Sequence, residues 1–202
     1  MKIIPDEFIF IFQYGKGAWC LRFSHDGKIL AVACSDPPSS QGSAIRIYSV
    51  ETGKLEADLK GHKGPIYALD WHRNNKLLSA SGDGSVKIWS SHRQFEASLQ
   101  HPTYVYAARF HPNSSDTIAS AGFDQVVRIW QKSGFLNQSQ QQCQYIILHE
   151  LINHKAYVNC LEFDIDGQVL FSGDQDGTIR VWESSNPESN DNWYLKKNLD
   201  FR

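Results

Sequence analysis

Short runs of alternating apolar and polar residues cover most of the chain, separated by turn-forming clusters of Gly, Asp, Asn and Ser. Period-two alternation is the mark of β-strands, whose side chains point to opposite faces in turn. No window sustains the 3.6-residue stripe of an amphipathic helix. The pattern predicts four groups of four strands. They cover residues 19–24, 29–34, 44–50 and 55–59; then 66–71, 77–81, 86–90 and 95–99; then 104–110, 117–121, 126–131 and 145–150; and finally 158–163, 169–172, 179–183 and 193–197. Turns are expected at 24–28, 72–75, 111–115 and 164–167. The expected class is all-β.

The four groups are copies of one another. The segment SASGDGSVKIW at 79–89 matches SAGFDQVVRIW at 120–130 and SGDQDGTIRVW at 172–182, and a weaker copy ends in AIRIY at 44–48. The closing aromatics Tyr48, Trp89, Trp130 and Trp182 lie 41, 41 and 52 residues apart. A second marker keeps step with them: Leu21 and Phe23, Leu69 and Trp71, Ala108 and Phe110, Leu161 and Phe163. Repetition at this period means that each copy is one structural unit, stacked on its neighbours to bury its faces. A Gln-rich stretch at 133–144 accounts for most of the longer third interval, and a polar stretch at 35–43 interrupts the first copy. Both read as surface insertions.

Composition narrows the function classes. Hydrophobic residues make up 41% of the 202 and aromatics 12%, enough for a packed core. A net charge of −2 argues against nucleic acid, or an anionic membrane, held by bulk charge. No run approaches the roughly 18 apolar residues of a spanning helix, so membrane insertion is not expected. The four cysteines, Cys20, Cys34, Cys143 and Cys160, form no C-x-x-C pair, which suits a thiol-reducing compartment. His149 and His154 are spaced as metal ligands can be, but no cysteine pair stands near to complete a site. No metal and no other cofactor is expected. His72 and His111 fall in turns and are expected to be solvated.

The period near 41, Gly61 followed by His62, and the Ile/Val-Trp endings resemble WD40 repeats. The resemblance implies four-stranded β-propeller blades. It divides the chain into a degenerate blade at 14–60 and blades at 61–100, 101–152 (with the Gln-rich loop) and 153–202. Residues 1–13, with Phe8, Phe10 and Phe12, read as the outer strand of a preceding or closing blade. The last copy also owns an outer strand, so two candidates compete for one edge. The simplest resolution is the N-terminal half of a longer propeller, with a closed four-bladed ring as the second choice. An isolated half would leave an apolar blade face uncovered and prone to self-association.

The resemblance also implies a structural tetrad, in which Asp holds His, His holds a Ser hydroxyl, and the hydroxyl holds a Trp N–H. Three sets fit: His62, Ser79, Asp83 and Trp89; His101, Ser120, Asp124 and Trp130; His154, Ser172, Asp176 and Trp182. Ser, His and Asp also suggest nucleophilic catalysis, but an active site needs one set aimed at one pocket with an oxyanion hole. Threefold recurrence with a Trp points to internal hydrogen bonding instead, so no enzyme is expected. The first copy has Tyr14, Ala31 and Gly42 near the matching places, and it is expected to be the least rigid.

Counted from each tetrad His, and from Tyr14 in the first copy, the third and fifth residues are expected on the propeller's top rim, as is the residue before each tetrad Asp. The rim then carries Trp19, Tyr67, Tyr104, Tyr106, Phe123 and Tyr157. Grouped aromatics with sparse charge suit a surface that binds other proteins. Packing between blades is the alternative use of the same rings.

Two segments, GAWCLRFSHDGKILAVAC at 17–34 and LQHPTYVYAARFHP at 99–112, resemble the WD40 region of the jouberin family, with Phe171, Ser172, Gly173, Asp174 and Trp193 also similar. That resemblance implies a protein-interaction scaffold at the ciliary transition zone or basal body, acting in cilium assembly. The family's SH3 domain and further blades are not in this sequence, which puts functions relying on them in doubt. The alternative is a substrate-recognition subunit of a ubiquitin ligase or another WD40 adaptor. Against it, the W-D-x-R motif is missing after Trp89 and Trp182.

Overall fold

The computed structural model describes residues 18–34, 42–133, 143–186 and 191–200. Every regular element among them is a strand, and the strands form four antiparallel four-stranded sheets in chain order. The first sheet holds β1 (Ala18–Phe23), β2 (Ile29–Cys34), β3 (Ser43–Ser49) and β4 (Leu55–His62). The second holds β5 (Ile66–Trp71), β6 (Leu77–Ser81), β7 (Ser85–Trp89) and β8 (Phe95–Gln100). The third holds β9 (Val105–His111), β10 (Ser114–Gly122), β11 (Val126–Ser133) and β12 (Gln144–Ile152). The fourth holds β13 (Val158–Phe163), β14 (Val169–Asp174), β15 (Thr178–Asn186) and β16 (Asp191–Asp200). The all-β class and its four-stranded units match the periodicity. The strand expected within 1–13, and most of both polar insertions, lie outside the described residues.

The core lies between successive sheets. Each sheet turns its repeat markers toward the preceding sheet, which offers smaller side chains in return. Leu69, Trp71, Leu77 and Trp89 pack against Ala31, Ala33, Ile45 and Ile47. Ala108, Phe110, Ile118 and Trp130 pack against Ala68, Ala80, Val86 and Ile88. Leu161, Leu170, Trp182 and Trp193 pack against Ala107, Ala119, Ala121 and Ile129.

Polar ties stitch the same junctions. The Trp71 indole N–H donates to the Arg22 carbonyl at 3.1 Å, and the Phe110 N–H donates to the Asp70 carboxylate at 2.9 Å. His111 corrects the expectation of a solvated turn residue. It is buried, and its Nε2–H donates to the Gly167 carbonyl of the next sheet at 3.1 Å. The aromatic Phe163 lies edge-on to its ring at 5.3 Å. A Cβ on Gly167 would stand 2.1 Å from His111 Nε2, so only glycine lets this turn close on the imidazole. His72 is likewise only half exposed, with Phe110 edge-on to it at 5.4 Å. A neighbouring sheet covers these turns, and a single repeat read alone does not contain that neighbour.

The inner strands β1, β5, β9 and β13 pack in succession, and among the described residues no comparable packing joins β13 back to β1. The four sheets form an open arc. Ile88 is fully buried between the second and third sheets, whereas Ile165 is 78% exposed. Urea unfolding should therefore show Ile88→Ala losing about 2–5 kcal/mol of stability, with Ile165→Ala within about 0.5 kcal/mol of the parent. Equal losses would contradict the placement of the core.

Candidate docking rim and its supporting tetrads

Three buried serines, Ser79, Ser120 and Ser172, sit on the second strand of their sheets opposite Leu69, Ala108 and Leu161. In the second sheet, His62 Nδ1–H donates to Asp83 at 2.8 Å, and the Ser79 hydroxyl meets His62 Nε2 at 2.7 Å. The Trp89 indole N–H then donates to the Ser79 oxygen at 3.0 Å. Burial pushes the Asp83 carboxyl up, but hydrogen bonds from His62 and Ser85 outweigh it and hold the group well below the carboxylate range.

The third sheet departs from this plan. His101 meets Ser120 at 2.8 Å and Trp130 donates to Ser120 at 2.7 Å, but Asp124 bonds to Arg128 rather than to the imidazole. The Arg128 guanidinium stands between them, 3.2 Å from His101 Nδ1 and 2.6 Å from Asp124. An arginine can only donate, so Nδ1 accepts and the proton sits on Nε2. Burial, with Arg128 adding to it, lowers the His101 pKa to about 4.

The fourth sheet corrects one assignment outright. His154 Nδ1 pairs with Asp174 at 2.8 Å, not with Asp176, which stands exposed at the hairpin. Ser172 contacts His154 Nε2, and Trp182 donates to Ser172 at 2.8 Å. Asp174 lies two residues after Ser172 and so on the same sheet face, and Arg180 donates to it at 3.0 Å. Its other oxygen accepts the N–H groups of Asp176 and Thr178. Arg128 and Arg180 were the residues missed. Their signal is a basic residue two before each closing Trp, as at Lys87.

In the first sheet the register puts Val32, not Ala31, opposite Leu21 at the serine's place. No hydroxyl can bridge there, and the position is apolar and buried. None of the three tetrad serines has measurable exposure. These hydroxyls are closed to substrate.

Above the tetrads the hairpin tips are tied to the inner strands. Gly82, Phe123 and Gln175 donate their N–H groups to the carbonyls of Pro65, Tyr104 and Tyr157 at 2.8, 3.0 and 3.0 Å. These bonds set side by side the positions that the repeat offsets predicted. Tyr67 meets Tyr106 at 5.2 Å between ring centres, and Tyr106 meets Tyr157 at 5.6 Å. Tyr157 stacks on Phe123 at 6.0 Å, and Phe123 meets Tyr104 at 6.2 Å. Five of the six expected aromatics thus form one continuous cluster across three sheets, and Trp19's side chain lies outside the described residues. Tyr104 and Phe123 are each 51% exposed, while Tyr67, Tyr106 and Tyr157 are half-buried beneath them. A Cβ on Gly82 would lie 3.1 Å from the Tyr67 ring, so the small residue gives that ring its seat. On the fourth sheet the rim becomes polar, with Asn159 donating to Gln175 at 3.0 Å.

The family model described as "WD domain, G-beta repeat" matches residues 8–48, 53–90, 93–131 and 146–183. The chain belongs to the WD40 family. Its sheets are blades, and the second, third and fourth matches each run ahead of their sheet to take in the preceding blade's outer strand. Jouberin from Rattus norvegicus is 34% identical over 186 residues, 90% of this chain and 17% of that protein. Apoptotic protease-activating factor 1 from Homo sapiens is 29% identical over 180 residues, 88% of this chain and 13% of that protein. The chain therefore spans less than a fifth of these relatives. A chain in the "Crystal Structure of Mitotic Checkpoint Complex" superposes with a TM-score of 0.72 at 22% identity, over 93% of this chain and 54% of that one. This last likeness shows the propeller fold.

Two measurements check the tetrads. Asp174→Asn should cost roughly 3–5 kcal/mol, because it leaves the buried Arg180 without its counter-charge. Asp176→Asn should cost at most about 1 kcal/mol at its exposed place. The reverse order would restore Asp176 to the tetrad. The second is a pH titration. His101 has a folded pKa of about 4 against an ordinary 6.5, and His154 is also lowered by burial, so the unfolded chain takes up protons first. Their contribution is complete above about pH 6.5 and is lost as pH falls toward 4. The melting temperature should drop steadily from pH 7 to 4.5, and an unchanged value across that window would contradict the buried neutral imidazoles.

Proposed function

We propose that the chain is a non-enzymatic scaffold whose aromatic rim docks another protein, with a jouberin-like role in cilium assembly at the base of the cilium. One observation carries the docking role: Tyr104 and Phe123, each half exposed, stand on a packed base of Tyr67, Tyr106 and Tyr157. Large rings held rigid by their neighbours lose little conformational freedom on binding, and rings of this kind dominate protein-interaction energies. The three polar tetrads sit beneath the rim and spend their hydrogen bonds internally. This is the arrangement of a rigid platform.

The ciliary setting rests on the likeness to Jouberin, 34% identical over 90% of this chain. On this reading the protein works in the reducing interior of the cell, at the transition zone or basal body, and the absence of any C-x-x-C pair among its four cysteines supports a reducing compartment. Neither nucleic acid nor membrane insertion is part of the reading, since the rim is aromatic and the net charge is −2.

A tagged chain expressed in ciliated cells tests it, beside a Tyr104→Ser, Phe123→Ser double variant. Both side chains are half exposed, so the variant should melt within a few degrees of the parent. The parent should concentrate at the base of the cilium and the variant should disperse. A variant that localises like the parent overturns the rim as the docking surface, and a parent with no enrichment there overturns the ciliary role.

A further inference from the structure

The aromatic cluster of the rim is also a cluster of hydrogen-bond donors. Tyr67, Tyr104, Tyr106 and Tyr157 bring four phenol hydroxyls together. Burial holds the Tyr106 hydroxyl above the usual phenol range, and the hydroxyls of Tyr67, Tyr157 and Tyr104 raise it further, so the four groups stand close to one another. Among the described residues, none of the four has a hydrogen-bond partner. A neutral phenol can donate, so the rim sets unspent donors among apolar faces. Those faces are flat: Phe123 and Tyr157 stack with planes 14° apart, and Tyr104 stands at 66° to Phe123, leaving a cleft between them.

The backbone of the rim narrows the shape of an occupant. The Gly82, Phe123 and Gln175 N–H groups are already committed to the Pro65, Tyr104 and Tyr157 carbonyls, so a partner strand finds no open ladder between the hairpin tips. A helical partner spends its own carbonyls internally. A polyproline II segment has neither restriction. Its carbonyls are all unbonded, and its prolines carry no N–H for the rim to satisfy. Its pyrrolidine rings pack on aromatic faces, as in other aromatic-lined grooves that hold proline-rich segments. Charge marks the flanks. The residue after the tetrad histidine is Lys63 in the second blade, Pro102 in the third and Lys155 in the fourth. Both lysines are exposed, and among the described residues neither ammonium pairs with a carboxylate. The blades at either side of the cluster thus each supply an unpaired cation.

Resting on the rim as the docking surface proposed above, we infer that its occupant is an extended, proline-rich segment of another protein with acidic residues at its ends. The prolines lie on Tyr104, Phe123 and Tyr157, and the segment's carbonyls accept from the tyrosine hydroxyls. Its acidic ends meet Lys63 and Lys155. The rigid segment and the rigid rim both lose little conformational freedom on docking.

Fluorescence anisotropy on the 202-residue chain tests it, with a labelled peptide of eight prolines between two pairs of glutamates as the probe. Saturable binding with a Kd below about 100 μM is expected. One control peptide replaces the prolines by alternating glycine and serine, and a second replaces the glutamates by lysines. Each should bind at least about tenfold more weakly. A Tyr67→Phe, Tyr106→Phe, Tyr157→Phe variant keeps every ring and removes three hydroxyls. It should melt with the parent and bind the proline peptide at least about tenfold more weakly. No saturable binding, a control that binds as tightly as the probe, or a Phe variant that binds like the parent overturns the proline segment. The Tyr104→Ser, Phe123→Ser variant in ciliated cells decides the docking role separately. Its dispersal beside a failed peptide titration removes the proline chemistry and leaves the rim as the docking surface, whereas its normal localisation removes the rim itself.

Discussion

A serine hydroxyl bonded on one side to an imidazole and on the other to an indole N–H is the interaction on which the rest of this structure depends. At Ser79, Ser120 and Ser172 that oxygen has no access to water, so its partners must be protein groups. In the second, third and fourth blades the bond pair joins the first strand's approach, the second strand and the third strand. It fixes the height of the His-bearing segment relative to the sheet. The hairpin-tip hydrogen bonds, and with them the rim aromatics, follow from that height. Without the hydroxyl, a buried ring nitrogen and a buried indole N–H lose their partner together, and buried polar groups without partners are costly.

The outer end of each network is solved differently, and the differences are electrostatic. In the second blade a carboxylate accepts the Nδ1–H hydrogen bond directly. In the third, Arg128 intervenes and reverses the tautomer, so His101 donates to Ser120 where His62 accepts from Ser79. In the fourth, Asp174 serves both His154 and Arg180. What the three share is an oriented imidazole bonded to the serine. A fixed charge beside it supplies the orientation, and an arginine can replace the direct aspartate contact if it carries an aspartate of its own.

The repeat was legible because stacked blades demand the same apolar positions each time, at Leu69 and Trp71 as at Leu161 and Phe163. The rim offsets were legible for the same reason: backbone bonds such as Phe123 to Tyr104 recur with the repeat. Asp174 was not, because two aspartates lie in one hairpin and spacing alone favours the one that aligns with Asp83. The period-two rule identifies Asp174, since it shares a face with Ser172. Val32 was misplaced by one residue because the insertion at 35–43 hides the register of the first blade. His111 looked solvated because its cover, the turn at Gly167, belongs to the next repeat. Contacts within a blade could be read from the pattern, whereas contacts between blades and choices between adjacent charges needed the coordinates.

Hydrogen exchange at the indole N–H groups reports most directly on the hydroxyl bridge. With the chain labelled at tryptophan nitrogen, the Nε1–H resonances of Trp89, Trp130 and Trp182 should exchange only on the timescale of opening their blades. Ser79→Ala should speed the Trp89 signal far more than the other two. Exchange of all three within seconds in the parent chain, or no selective change on losing Ser79, would contradict the account.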